Sequence, residues 1–416
     1  METANKIRKI EIQLPRQAQE IIEKLNQHGY EAYVVGGCVR DCLLGRIPGD
    51  WDITTSAKPE EVKSIFGRTI DTGIQHGTVT IMKGKTGYEV TTYRIDGEYE
   101  DGRHPKAVEF TSNLLEDLKR RDFTINAMAY SHTAGLVDAF EGIADLEAGK
   151  IRCVGKAADR FREDALRILR AIRFSAQLGF GIEEETWNAI RIIGPNLAHV
   201  SKERILAELT KMLLSDHPDT IKMVFACGLE PYIADTFSEI RPEMISIHPS
   251  LPPVRYMRWA AFLRNQTPGE AEQILKELKA DNDTTAKVKT LVQWWKRPVG
   301  TSQPEIRRTM SQMTEELYNA LLLFKKAVLE GEQPGTAVPE TGEELEAIRR
   351  HSEEIRRRGD CISLKTLAVT GKDLIQAGMK PGKGLGETLN HLLNLVLENP
   401  EQNKKELLIR EAKKYA

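Results

Sequence analysis

Cysteine is scarce in this 416-residue chain, and what there is lies scattered. Cys38, Cys42, Cys153, Cys227 and Cys361 form an odd set with no Cys-x-x-Cys pair and no His-x-x-x-His partner, so no zinc site is expected and the thiols read as reduced and structural. Long apolar runs are absent too. No stretch of about 18 apolar residues occurs, and Met1-Glu-Thr-Ala-Asn-Lys-Ile-Arg-Lys lacks the apolar core of a signal peptide. A membrane partner is therefore not expected, and a cytoplasmic location is. Net charge is nearly missing, at −2 from 59 basic and 61 acidic residues, so any surface for a polyanion has to be a local patch. A chain that never meets a polyanion fits that balance equally well.

What is present is ordinary for a globular protein, with 40% hydrophobic and 29% charged residues, in a length that suits two to four compact units. Short β-branched and aromatic runs at Ala32 to Val35, Trp51 to Thr55, Thr78 to Met82 and Tyr88 to Tyr93 read as strands, and the last two flank Lys83-Gly-Lys-Thr-Gly as a hairpin would. Helical periodicity surrounds them at Arg16 to Gln27, Val39 to Leu44 and Asp122 to Tyr130. The first 150 residues thus read as an α+β head, a small mixed sheet with helices. From Ala157 onward strand signals almost vanish and the remainder reads as all-helical, with Ser201 as an N-cap and Glu203 in the first turn of its helix. Glu330 to Gly342 is the clearest linker. The expected organisation is a head at 1–150, a helical neck at 151–215, a helical body at 216–330 and a helical tail at 343–416. There is no internal repeat.

Two features of the head point to phosphate chemistry. Gly36-Gly37 stands between an apolar run and a helix start, where backbone N–H groups approach a phosphate closely and Arg40 adds charge. Asp50 and Asp52, read as strand residues i and i+2, would present two carboxylates on one side about 7 Å apart. Such a pair is costly without cations, and Mg²⁺ is the natural oxygen-seeking counter-ion. Glu89, on a second strand, would supply a third carboxylate, and two bridged ions would suit phosphoryl transfer.

The order of these elements carries a resemblance. Val35-Gly-Gly-Cys-Val-Arg-Asp-Cys-Leu-Leu-Gly45 followed by Asp50-Trp-Asp-Ile-Thr-Thr resembles the head of the class II tRNA nucleotidyltransferase and bacterial poly(A) polymerase family. The resemblance implies that Asp50 and Asp52 bind the catalytic Mg²⁺ ions and that Gly37 and Arg40 contact the nucleotide. Arg120-Arg-Asp-Phe-Thr-Ile-Asn-Ala127 is similar to the family's next motif, which implies that Arg121 and Asp122 approach the ribose and phosphates. Glu163-Asp-Ala-Leu-Arg-Ile-Leu-Arg-Ala-Ile-Arg173 is similar to its nucleotide-recognition motif.

That last motif has its own physics. On a helix, Asp164 and Arg167 share a face and join an acceptor to a rigid donor fork. Cytosine and adenine pair an exocyclic amino donor with a ring-nitrogen acceptor, and uracil and guanine reverse that order. The wrong bases would leave polar groups mismatched at about 1–3 kcal/mol each. Arg167, Arg170 and Arg173 continue as a basic stripe able to reach phosphates.

The likeness covers about residues 30 to 215 and ends in His199-Val-Ser-Lys-Glu-Arg-Ile-Leu-Ala-Glu-Leu. The remainder resembles the short Gram-positive form of the family, and no His-Asp dipeptide marks a phosphohydrolase domain. Arg94 to Val108 is similar to the mobile loop that lets one family site switch from C to A, although Arg103-His104-Pro105 stands where relatives commonly carry Arg-Arg-Pro. Around Gly378-Met-Lys-Pro-Gly-Lys-Gly, a glycine-rich turn with Lys380 and Lys383 would suit an RNA backbone. The resemblance implies stepwise transfer of C, C and A from CTP and ATP to the 3′ end of tRNA. A poly(A) polymerase or a partial CC- or A-adding enzyme shares the motifs. A non-catalytic RNA-binding protein on the same scaffold, or a small-molecule nucleotidyltransferase, would be the reading from another class. Oligomeric state is not legible.

Overall fold

The computed structural model describes residues 11–97, 108–331 and 338–414. The loop motif with Arg103-His104-Pro105 and most of the expected linker lie outside these residues. The chain divides into two compact units, residues 1–239 and 240–416.

The first unit is built on a seven-stranded mixed sheet. Its strands are β1 (Ala32–Val35), β2 (Ile53–Thr55), β3 (Thr69–Gly73), β4 (Thr78–Lys83), β5 (Thr86–Thr92), β8 (Met128–Ser131) and β9 (Gly135–Asp138), in the order β3-β4-β5-β2-β1-β8-β9. Only β2 and β5 run parallel, with Ile53 opposite Val90. Between β5 and β8, the short strands β6 (Arg94–Asp96) and β7 (Val108–Phe110) pair antiparallel. The hairpin expected at β4–β5 forms, with Lys83 opposite Thr86 around Gly84, whose φ of 66° glycine adopts without strain.

Helix α1 (Arg16–Gln27) forms where its periodicity placed it, because Ala18, Ile21, Ile22 and Leu25 make one buried stripe. It is followed by α2 (Gly37–Leu43), α3 (Pro59–Ile65), α4 (Leu114–Lys119) and α5 (Gly142–Glu147). The helix expected over Asp122 to Tyr130 is instead one 3-10 turn, Thr124–Asn126, and then strand β8, which lies between β1 and β9. All four β8 residues are buried, and a strand covered on both faces shows a continuous apolar run that periodicity cannot tell from a helix.

Beyond the sheet come α6 (Ala157–Glu163), α7 (Leu166–Leu178), α8 (Glu184–Ile193) and α9 (Lys202–Leu213). The two-residue strands β10 (Lys150–Ile151) and β11 (Gly181–Ile182) make one small parallel pair in this otherwise helical stretch. Ser201 occupies the N-cap of α9 with Glu203 in the first turn, but its hydroxyl makes no capping bond.

The second unit is helical throughout its described residues, with its longest helices at Glu315–Gly331, Gly342–Arg358 and Lys383–Glu398. Several start at capping boxes, among them Thr267 with Glu270 and Thr341 with Glu344. Trp259, Trp295 and Phe324 are buried in it, and Lys325, fully buried, donates to Glu340 at 2.6 Å. Gly382 (φ 148°) opens Lys383–Glu398, and Lys383 points outward with Glu387 at 3.8 Å. Among the described residues no helix is long and apolar enough to cross a membrane.

Candidate active site

Asp50 and Asp52 lie in the extended segment leading into β2, which begins at Ile53, rather than inside the strand as expected. The last bond of the β1–β2 ladder runs from the Val35 N–H to the Asp52 carbonyl at 3.0 Å, and the ladder ends there because the chain turns into α2 at Gly37. The alternation persists: Ile53 and Val90 are buried partners on adjacent parallel strands, so Asp52 and Glu89, one residue earlier on each, face the opposite way.

Asp52 is open to solvent on one side, yet the protein around it strips enough hydration to push its carboxyl up to about 6. The Asp50 carboxylate adds to that push, the Arg121 guanidinium opposes it, and Glu89 raises it further. The three carboxylates therefore share one electrostatic site. Among the described residues no group of three Asp, Glu, His or Cys side chains is clustered tightly enough to hold an ion alone. Two carboxylate arms that repel each other do fit an ion such as Mg²⁺, which commonly takes one or two carboxylates and completes its shell with substrate phosphates and water.

Gly36 has φ of 82°, and a Cβ there would come within 3.0 Å of Arg121 Nη1. Glycine thus serves both the turn and the close approach of Arg121, and Gly37 begins α2. Arg40 on α2 donates to Asp41 Oδ1 at 2.9 and 2.8 Å and to Asn126 Oδ1 at 2.7 Å, with its guanidinium 5.2 Å from the Phe174 ring centre. Arg121 reaches Asp117 Oδ2 at 3.5 Å, and its buried Nε has no hydrogen-bond partner among the described residues.

Asp117 is a residue the motif reading passed over. It is fully buried and accepts from Arg120 at 2.9 and 2.7 Å, from the Thr54 hydroxyl at 3.1 Å and from the Arg94 N–H at 3.4 Å. Burial opposes its charge, but Arg120 and Arg121 hold its carboxyl below the usual carboxylate range. Its signal was available, since Asp117 precedes Arg120 and Arg121 by three and four residues.

The neck motif departs from a simple helical face. Helix α6 ends at Glu163, and Asp164, at φ −142° and ψ 105°, breaks the path before α7 begins. Asp164 Oδ1 accepts from the Leu166 N–H at 3.0 Å, and Oδ2 accepts from Arg204 of α9 at 2.7 Å. Arg167 donates to Glu163 at 2.5 Å and to the Arg120 carbonyl at 3.2 Å. The expected stripe is a ladder of matched charges. Arg170 grips Asp122 through two nitrogens, one at 2.7 Å, and Arg173 donates to Glu208 at 2.5 Å and Gln177 at 2.8 Å.

Asp122, which burial alone would neutralise, is held far below the usual range by Arg170 and Arg167. The structure so links Arg40, Asp122 and Arg170 through Asn126, with Gly37 beside Arg40, sets Arg121 against Gly36 and Asp117, and turns Arg173 toward α9. Arg204 and Glu208 were missed because their partners are distant in sequence, and Asn126 because one of its two partners, Arg40, is 86 residues away.

A glycine turn, a paired-carboxylate segment and arginine-lined walls on this sheet define the head of a nucleotide-transferring polymerase. Residues 32–152 match the Poly A polymerase head domain, 179–238 the RNA- and SrmB-binding site of polymerase A, and 255–412 the tRNA nucleotidyltransferase domain 2. A CCA-adding enzyme of Geobacillus kaustophilus is 39% identical over 94% of both chains, and that of Ligilactobacillus salivarius is 37% identical over 96% of both. The crystal structure of the Bacillus stearothermophilus CCA-adding enzyme in complex with CTP superposes with a TM-score of 0.82 at 34% identity, covering 97% of this chain and 98% of that one. The chain belongs to the CCA-adding enzyme family.

Proposed function

We propose that this protein adds C, C and A in turn to the 3′ end of tRNA, using CTP and ATP and releasing pyrophosphate, in the cytoplasm. The observation that carries the reading is the end-to-end similarity to CCA-adding enzymes, which spans the second unit as well as the head. A poly(A) polymerase is the second reading, because two of the matching family descriptions bear that name. The match of residues 255–412 to a tRNA nucleotidyltransferase domain favours tRNA. The proposed organisation is a head at 1–150, a neck at 151–215, a body at 216–330 and a tail at 343–416, of which the first boundary has the support of a matched segment that ends at residue 152.

Asp50 and Asp52 would hold Mg²⁺, with Glu89 beside them. When bound, the ion supplies the charge that activates the RNA 3′-hydroxyl and stabilises the departing pyrophosphate. Gly37 keeps side chains clear of the triphosphate, and Arg40 and Arg121 meet its oxygens, the Arg121 guanidinium lying close over the glycine turn at Gly36. Arg170 and Arg173 also hold the nucleotide, and Asp122 acts by orienting Arg170.

Asp164 and Arg167 read the base. With Leu166 and Arg204 already donating to it, Asp164 is a charged acceptor fixed in direction. A fixed acceptor at Asp164 and a fixed donor at Arg167 would suit the amino-plus-ring-nitrogen edge of C and A, and the held carboxylate would meet a carbonyl edge with repulsion.

The test is extension of a tRNA lacking CCA with Mg²⁺ and CTP, ATP or both, resolved to one nucleotide. Growth that needs both triphosphates and stops at three nucleotides is the expected result. A long ladder with ATP alone would make the protein a poly(A) polymerase, and tRNA binding with no extension would leave a binding protein.

A further inference from the structure

Asn126 stands between two groups of opposite charge. Its side-chain oxygen accepts from Arg40 Nη1 at 2.7 Å, and its side-chain nitrogen donates to Asp122 Oδ1 at 3.3 Å. Asp122 passes the connection on through Oδ2 to Arg170 on α7. The result is one continuous path, Arg40–Asn126–Asp122–Arg170, from the helix after the glycine turn to the base-reading helix. The path is closed on its far side by Phe174, 5% exposed, whose ring centre lies 5.2 Å from the Arg40 guanidinium, 5.6 Å from that of Arg170 and 4.0 Å from that of Arg173.

The chemistry of position 126 is narrow. A cation on one side needs an acceptor, and an anion on the other needs a donor. A neutral primary amide supplies both. A carboxylate of the same size would satisfy Arg40 and repel Asp122, and a methyl group would leave both unmet in a site where Asn126 is 7% exposed.

We propose that Asn126 is a positioning residue for nucleotide binding, holding Arg40 in line with Arg170 so that the two guanidiniums meet the triphosphate as a preset pair. This rests on the reading that those arginines hold the nucleotide. Preset donors lose less freedom on binding, so the gain falls on triphosphate affinity and leaves the chemical step alone.

The experiment compares the full-length protein with Asn126→Ala and Asn126→Asp, measuring tRNA extension and, separately, calorimetric binding of CTP and of ATP. Asn126→Ala is expected to raise KM and Kd for both triphosphates about tenfold, equivalent to about 1.4 kcal/mol. KM for tRNA should stay unchanged and kcat should change by less than about threefold. Asn126→Asp, which preserves size, is expected to weaken triphosphate binding at least as much. Wild-type-like binding in Asn126→Asp would reduce the residue to space filling and overturn the proposal. So would a fall in kcat with unaltered KM and Kd in either variant. If the wild-type chain binds CTP and does not extend tRNA, the functional reading fails, and the calorimetric comparison still decides the role of Asn126.

Discussion

Removing Glu208 tests whether the neck is held together by charge. Arg173 and Glu208 are 9% and 5% exposed in their side chains and meet at 2.5 Å, and the Arg173 guanidinium lies 4.0 Å from the centre of Phe174. Lys211 also approaches Glu208, at 3.6 Å, but is half exposed and contributes little. Glu208→Leu leaves a buried guanidinium with only Gln177 and an aromatic face, and stranding one partner of a buried pair costs about 3–5 kcal/mol. With those remaining contacts the lower end applies, about 3 kcal/mol, or more than about a hundredfold in a local opening equilibrium. Amide hydrogen exchange in α7 and α9 reads that opening directly. The second half of the test is the double variant Arg173→Met with Glu208→Leu, in which no charge is left unpaired and protection should return to within about 1–2 kcal/mol of wild type. Losses in the double variant that equal the sum of the two single losses would refute the argument, because the pair would then carry no coupling.

Asp50→Ala is expected to cut transfer at least about a thousandfold, since a metal-held carboxylate underwrites several kcal/mol of transition-state charge stabilisation, with tRNA affinity within about threefold. Near-normal turnover in that variant would remove Asp50 from the metal site. Arg204→Ala frees Asp164 to rotate and should weaken discrimination against UTP and GTP by about tenfold, checked as kcat/KM ratios in single-nucleotide extension. Unchanged ratios would show that Asp164 needs no anchor. Acid sensitivity follows from Asp122, whose folded carboxyl is held well below its unfolded value. Its contribution is therefore present above the ordinary aspartate range and is lost as pH falls through about 4 and below. The thermal midpoint should fall more steeply from pH 5 to 3 in wild type than in Asp122→Asn, and parallel curves would contradict the assignment.

Local signals carried the head. The strands at Ala32, Thr78 and Tyr88, the hairpin at Gly84 and helix α1 are short-range features whose cause lies within a few residues. Strand β8 was misread because burial on both faces erases alternation, and only the neighbouring strands decide its state. The acidic pair was legible as residue types, but its place at the mouth of β2 depends on where β1 stops pairing and turns into α2. In the neck, Asp164 and Arg167 were found by spacing, and the break at Asp164 was not, since nothing in Glu163-Asp-Ala-Leu marks a helix end by composition. Arg204 and Glu208 lie about forty and thirty-five residues from the groups they hold, which spacing arguments do not reach.

The near-zero net charge of the chain and its reading as a polyanion-handling enzyme are reconciled by these pairs. Arg40 is matched by Asp41, Arg167 by Glu163, Arg170 by Asp122 and Arg173 by Glu208. A triphosphate therefore enters a lattice of cations already satisfied, and binding is an exchange of one set of oxygens for another. Exchange contributes less affinity than meeting a bare cation, but it leaves the guanidiniums in fixed directions before the substrate arrives. Arg121 is the exception: Asp117 holds it only at 3.5 Å, its Nη1 lies close over Gly36, and its field already acts on Asp52. Of the site's arginines it has the longest contact to its carboxylate partner, so triphosphate affinity, measured as the Kd for CTP, should depend more steeply on Arg121 than on any arginine of α7.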